Sequence, residues 1–321
     1  MTETAQATRI RIADSDLEVF PLNLGGNVFG WTADVAASEA VLDGYVAAGG
    51  NFVDTADAYS AWAPGHTGGE SETVIGDWMR TRGNRDDVVV ATKLSQHPEF
   101  RGLAADNVRA AADASLQRLG TDRIDLYYAH YDDASVPLEE TVGALSALVD
   151  AGKVRAIGIS NYTPERIDEW FEVTAANGFH RAVALQPHYN LVERDFEHGL
   201  RERAEREGLA VFTYFSLAKG FLAGTYRTAS DAAAPGASPR AAAAASYLDD
   251  RGARVLAALD RIAAVHGVPV ASVALAWLRV QPTVVAPIAS ARNTAQLPAL
   301  VASATLELGA DELAELSAAT A

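Results

Sequence analysis

Short apolar runs rich in β-branched and aromatic residues alternate along this chain with longer segments whose apolar residues recur every three to four positions. The first kind reads as buried parallel strands and the second as the crossover helices that join them. Strands are expected at 21–24, 52–54, 88–92, 124–129, 154–159, 182–185, 210–214 and 284–287. Helices are expected between them at 36–48, 71–81, 104–119, 138–151, 164–176 and 195–207; Thr163-Pro164 supplies a capping hydroxyl and a first-turn proline. Eight such units with no dividing linker predict an α/β fold: one (β/α)8 TIM barrel over residues 1–321.

Two stretches fall outside the repeat. Residues 9–20 alternate apolar and polar around a polar turn, which predicts an N-terminal β-hairpin plugging the N-terminal mouth. Residues 225–250 are rich in Ala, Ser, Pro and Gly and follow the seventh strand, so they are expected to form a mobile loop, either a lid or an inert insertion. Accessory C-terminal helices end with one over 309–319, capped by Asp311.

Four residues capable of proton chemistry stand just past three successive strands. Asp54 and Tyr59 follow the second, Lys93 the third and His130 the fourth. In a closed barrel the C-terminal ends of the strands share one face, where active sites lie, so an acid, a phenol, an amine and an imidazole are expected in one pocket. Composition narrows the chemistry further. With 42 acidic against 26 basic residues, the net charge of −16 disfavours nucleic acid and anionic membranes as partners. The absence of cysteine removes thiolate metal sites and thiol nucleophiles and fits a cytoplasmic location. Residues 1–13 lack a signal pattern, and the longest apolar stretch, near 268–278, is too short to span a bilayer. The seven histidines lack the spacing of a metal motif, no metal is expected, and no Gly-x-Gly-x-x-Gly pattern of a Rossmann dehydrogenase occurs. A barrel glycosidase would need a carboxylate pair where this chain has His130 and Tyr214.

The order of Gly49-Gly50-Asn51-Phe52-Val53-Asp54-Thr55-Ala56-Asp57-Ala58-Tyr59, then Lys93, His130, Gly158-Ile159-Ser160-Asn161-Tyr162 and Val273-Ala274-Leu275-Ala276-Trp277-Leu278 resembles the aldo-keto reductases over residues 17–320. The Gly68-Gly69-Glu70-Ser71-Glu72 run resembles their bacterial NADP-dependent branch. That resemblance implies reversible, NADPH-dependent reduction of a small aldehyde or ketone to the alcohol. Tyr59 would be the proton donor, Lys93 would lower its pKa, Asp54 would hold the ammonium, and His130 would orient the carbonyl oxygen.

The resemblance also implies dinucleotide contacts on the remaining strands. Ser160, Asn161 and Gln186 would bond the nicotinamide carboxamide and Tyr214 would stack on its ring. Leu217, Lys219 and Gly220 would lie along the pyrophosphate, although Lys219 also reads as an ordinary surface cation. Ser290, Arg292 and Gln296 fall in the segment that grips the adenosine end, and Arg292 favours NADP(H) over NAD(H) because a guanidinium matches phosphate oxygens in pairs. The chain departs from the family at Phe215-Ser216, where Ser-Pro is common, at Ser290 in place of glycine, and at Pro298-Ala299-Leu300 in place of an acidic run ending in Asn. Trp31, Trp62 and Tyr131 read either as an apolar substrate wall or as core. The rival to an enzyme is a non-catalytic NADP(H)-binding, redox-sensing regulatory subunit; the complete set of four and the lack of an appended interaction domain favour the enzyme.

Overall fold

The computed structural model describes residues 7–320, so the start of the N-terminal segment read for a leader lies outside the described residues. Eight parallel strands form one sheet in the order of the chain: Asn23–Gly25, Phe52–Asp54, Val89–Leu94, Ile124–Ala129, Val154–Ser160, Ala182–Gln186, Ala210–Val211 and Ile288–Ala289, the last pairing back onto the first. The remaining seam closes through single hydrogen bonds: Val285 N–H donates to the Val211 carbonyl and Ile288 N–H to that of Thr213, both at 2.9 Å. The result is the (β/α)8 barrel that the alternation predicts.

The barrel interior is a separate apolar core made by every second residue of each strand, as strand geometry requires. Phe52, Ala91, Tyr128, Ala184, Phe212 and Ile288 belong to it. Gly158 completes the layer because a β-carbon there would lie 2.4 Å from the Tyr128 ring. At the N-terminal end, antiparallel strands Ile10–Arg11 and Glu18–Val19 place Ile12, Leu17 and Val19 against this same core, so the hairpin is the expected plug. The larger core lies between the strands and the surrounding helices.

Helix Pro164–Asn177 starts as its sequence predicts, with the Thr163 side chain accepting from Arg166 N–H. Elsewhere the structure corrects the boundaries. The segment expected as one helix over 195–207 is a 3₁₀ turn, Asp195–Glu197, followed by helix Leu200–Glu207, because Gly199 adopts φ 89° between them. The seventh strand stops at Val211, leaving Tyr214 in one isolated bridge to His188. The eighth strand is Ile288–Ala289 rather than 284–287: Pro287 has no N–H to give a ladder, and pairing with the first strand begins after it. Helix Ala310–Ala318 is capped by Gly309, whose N–H donates to Glu312, while Asp311 lies in its first turn.

Residues 225–250 hold more structure than their small side chains suggest. They contain helices Ala229–Ala232 and Ala241–Ala245, and Tyr226, Ala241, Ala244 and Tyr247 are buried in the main core. Two tyrosines supply the apolar area that the alanines lack.

Candidate functional site

Extending each interior ladder by one more step, two residues beyond the apolar layer, reaches Asp54, Lys93, His130, Ser160, Gln186, Tyr214 and Ser290. One face of seven strands therefore changes from apolar to polar at the same height, and the polar ring forms the floor of a cavity of about 700 Å³ at the C-terminal mouth. Asp54, His130, Asn161, Gln186, Tyr214 and Ser290 line this cavity, and so does Tyr59.

Tyr59 reaches the floor by a local device. After the second strand, Thr55 N–H and Asp57 N–H continue to pair with the third strand, donating to the carbonyls of Ala91 and Lys93. Successive turns then close from Tyr59 N–H to Ala56 and from Ala61 N–H to Ala58, which folds the tyrosine back over the lysine.

Lys93 is fully buried, and its ammonium donates to Asp54 Oδ2 at 2.5 Å, to the Thr55 carbonyl at 2.7 Å and to the Tyr59 hydroxyl at 3.0 Å. Those three contacts use all three donors of an ammonium. The Tyr59 hydroxyl lies 3.4 Å from Asp54 Oδ2, and Gln186 Nε2 occupies Asp54 Oδ1 at 2.8 Å. A buried ion pair is worth keeping only when its remaining valences are filled, as they are here.

Burial governs the electrostatics of the floor. Burial, and next the Asp54 carboxylate, hold the Tyr59 phenol well above its ordinary pKa. Burial pulls Lys93 down despite Asp54, and burial followed by Lys93 holds His130 well below the usual imidazole range. His130 is therefore neutral at working pH, with Nδ1 buried and without a protein partner.

The expected nicotinamide residues are brought together as one network. The Ser160 hydroxyl donates to the Gln186 carbonyl at 2.8 Å, Asn161 Nδ2 donates to the His130 carbonyl at 2.9 Å and to Ser160 Oγ at 3.0 Å, and the Tyr214 hydroxyl donates to Asn161 Oδ1 at 2.8 Å. Asn161 holds φ 59°, a strained position for a non-glycine residue that its three side-chain bonds fix. One face of Tyr214 is covered by His188, stacked at 5.2 Å and 13° between planes.

Leu217, Lys219 and Gly220 also line the cavity; Leu217 caps a 3₁₀ segment, Ala218–Ala223, in which Lys219 and Gly220 take positive φ. Ser290 donates to Asn27 Oδ1 at 2.8 Å, and Arg292 N–H donates to Gln296 Oε1 at 2.8 Å, so this segment is bound both to the first strand's loop and to itself. Trp31, Trp62 and Tyr131 form a cavity wall instead of core. Trp31 and Trp62 pack edge to face at 5.4 Å, Trp62 meets Tyr59 at 6.1 Å, and Trp62 and Tyr131 remain 51% and 45% exposed.

Sequence reasoning missed Arg240, which comes from the alanine-rich segment and lines the same cavity. The available signal was a lone arginine among small residues. It also missed Asn27, the partner of Ser290. Among the described residues no group of His, Cys, Asp and Glu is arranged to hold a metal, and no single helix is long and apolar enough to cross a membrane.

Comparison with known proteins places this architecture. The profile of the Aldo/keto reductase family matches residues 21–321. Protein tas of Escherichia coli (strain K12) is 34% identical, with 96% of each chain covered. Norsolorinic acid reductase stcV of Emericella nidulans is 33% identical over 94% of this chain and 78% of its own. Aldo-keto reductase YhdN of Bacillus subtilis (strain 168) is 35% identical over 66% of this chain and 63% of its own.

Proposed function

From the premise that this chain belongs to the aldo/keto reductase family, we propose that it reduces an aldehyde or ketone to the alcohol with NADPH, Tyr59 acting as proton donor. The observation that carries this reading is Lys93, buried at the cavity floor and bonded at once to Asp54 and to the Tyr59 hydroxyl.

The cavity's charged lining fits a dinucleotide. Its cations are Lys219, Arg240 and Arg292, its only carboxylate is Asp54, and none of the three cations has an ion-pair partner among the described residues. In a chain of net charge −16, cations left unpaired around one cavity favour an anionic ligand. Lys219 would meet the pyrophosphate and Arg292 the 2′-phosphate, while Ser160, Asn161 and Gln186 would hold the carboxamide against the free face of Tyr214. When bound, the reduced dinucleotide supplies the hydride to the carbonyl carbon.

Negative charge then grows on the carbonyl oxygen. Tyr59, kept protonated by burial and Asp54, holds the proton that oxygen needs. As the proton leaves, the ammonium 3.0 Å away stabilises the phenolate that forms, against the burial and the Asp54 carboxylate that oppose it. Asp54 and Gln186 fix that ammonium. Neutral His130 donates or orients without adding a second positive charge. Reductase names among the relatives support the same direction of chemistry.

Steady-state oxidation of NADPH and of NADH with a panel of aromatic and medium-chain aldehydes tests the reading. Turnover with NADPH preferred is expected; tight NADPH binding with no turnover across the panel would overturn it in favour of a regulatory subunit.

A further inference from the structure

Tyr214, which would carry the nicotinamide ring, stands past the end of the barrel ladder. The seventh strand ends at Val211, and beyond it Tyr214 N–H donates to the Pro187 carbonyl at 3.0 Å in an isolated bridge between Tyr214 and His188. Tyr214 also lines two cavities: the main one and, together with Asn161 and His188, a smaller one of about 190 Å³. A ring set between two cavities keeps its place only where a neighbour fills the space behind it.

His188 is that neighbour. One interior step beyond Gln186, its imidazole lies 5.2 Å from the phenol with 13° between planes, and it meets the Phe215 ring edge to face at 5.5 Å. The imidazole is held in turn by Asn190, which is fully buried. Asn190 Oδ1 accepts from Val192 N–H at 2.9 Å and from Glu193 N–H at 3.0 Å. Its Nδ2 donates to the Phe215 carbonyl at 2.9 Å and lies 3.5 Å from His188 Nε2. Phe215 holds φ 51°, so the same amide also fixes the strained residue next to Tyr214. Burial, with Lys219, outweighs Glu193 and Asp195 and keeps the imidazole below its ordinary range, so the stacked ring is uncharged at pH 7. The phenol is thereby fixed at its hydroxyl by Asn161, at its backbone by Pro187 and on one face by His188, which leaves the other face for a ligand.

We propose that His188 is a positioning residue for the cofactor, the rear plate of a stack of His188, Tyr214 and nicotinamide that keeps the phenol flat against the nicotinamide ring. This rests on the dinucleotide reading above and adds to it a residue outside the main cavity's lining. The test titrates NADPH, and 2′-phospho-ADP-ribose, which lacks the nicotinamide, into wild type, His188→Leu and His188→Phe, read by quenching of tryptophan fluorescence. Leucine fills the space without a flat ring, and phenylalanine restores the plate. In His188→Leu, NADPH should weaken roughly 3- to 10-fold while 2′-phospho-ADP-ribose keeps its wild-type affinity, and His188→Phe should recover most of the loss. Equal weakening of both ligands would overturn the proposal, because His188 would then support the segment as a whole. Unchanged NADPH affinity in His188→Leu would overturn it too, as would a His188→Phe variant no better than His188→Leu. Failure of the underlying reading looks different. A wild type that does not bind NADPH removes the dinucleotide reading and the proposal with it, whereas one that binds NADPH without turnover fails the reductase reading alone, and the binding comparison still decides the role of His188.

Discussion

The floor of the cavity and its outer arm are built on opposite principles. On the floor, Lys93 has all three donors occupied, both Asp54 oxygens are bonded, and Tyr59 is locked between them. Along the arm, Lys219 and Arg292 carry charge with no acid beside it among the described residues, the first at a position of positive φ and the second just before the 3₁₀ turn Thr294–Gln296. The difference teaches where each part gets its order. Floor groups are held in place by the protein, which suits them to a transition state lasting no time for rearrangement. On the proposed function, arm groups would be completed by a ligand's phosphates. Substitutions in the two regions should therefore fail in different ways, the floor in rate and the arm in binding.

The largest effect is expected from the floor. Tyr59→Phe removes the proton donor and leaves the ring that packs on Trp62, so turnover should drop about 10²- to 10⁴-fold while NADPH affinity stays close to wild type. Steady-state rates and a fluorescence titration with NADPH, taken on one preparation, check both halves. Turnover near the wild-type value would remove the contrast, because the floor would then hold nothing that acts on the bond being made.

On the arm, Arg292→Ala should weaken NADPH roughly 10- to 100-fold and NADH far less, since only the former has a 2′-phosphate for the guanidinium to meet. Equal weakening of the two, measured by the same titration, would show that Arg292 supports its segment in place of reading the phosphate.

How much of this was legible follows from the same division. The floor was legible because strand period fixes it: once Phe52, Ala91, Tyr128 and Ala184 are recognised as interior, the next interior positions are Asp54, Lys93, His130 and Gln186. The eighth strand was misplaced because 283–288 crosses between two neighbours on single hydrogen bonds, and its apolar run begins before its pairing does. Arg240 was hidden because its place in the cavity is set by contacts to Trp31 and Phe215, distant in sequence, and no periodicity records those. The setting of the Tyr59 phenol was only half legible for a related reason. The sequence names the ammonium as its neighbour, but only the geometry shows the burial and the Asp54 Oδ2 at 3.4 Å that together raise the phenol's pKa.

The segment 225–250 lines the cavity through Thr225, Tyr226, Ser238 and Arg240, so on the proposed function it should respond to a ligand despite its buried tyrosines. NADPH should slow amide exchange there by on the order of tenfold, as Lys219 and its neighbours are tied to the pyrophosphate, with less change in the floor strands. Hydrogen exchange with and without NADPH measures it. Equal protection of floor and segment would place the whole cavity on one footing.

The smallest effect is expected just behind the floor, where Asp57 contrasts with Asp54 three residues earlier. Asp57 is fully buried and neither carboxylate oxygen has a partner. Burial, and next the nearby Glu72 carboxylate, push its pKa well above the ordinary value, against the weaker pull of Arg118 and Lys93. The sign follows from linkage. An unfolded aspartate releases its proton near pH 4, whereas the native one retains it, so native stability is fullest below the unfolded value and declines as pH rises from there through the native one. Asp57→Asn keeps the shape of the protonated acid and has no proton to lose. It should therefore be more stable than wild type at pH 7 by about 1 kcal/mol or more, or about 2 °C in Tm, with the gap closing toward pH 4. Neutral His130 loses stability in the other direction as pH falls, but it is common to both proteins and cancels in the difference. Thermal melts of the pair at pH 4, 5.5 and 7 decide it. A variant less stable at pH 7 would mean that Asp57 is ionised and serves Lys93 as a second counter-ion, and the paired floor would then extend one layer deeper than Asp54.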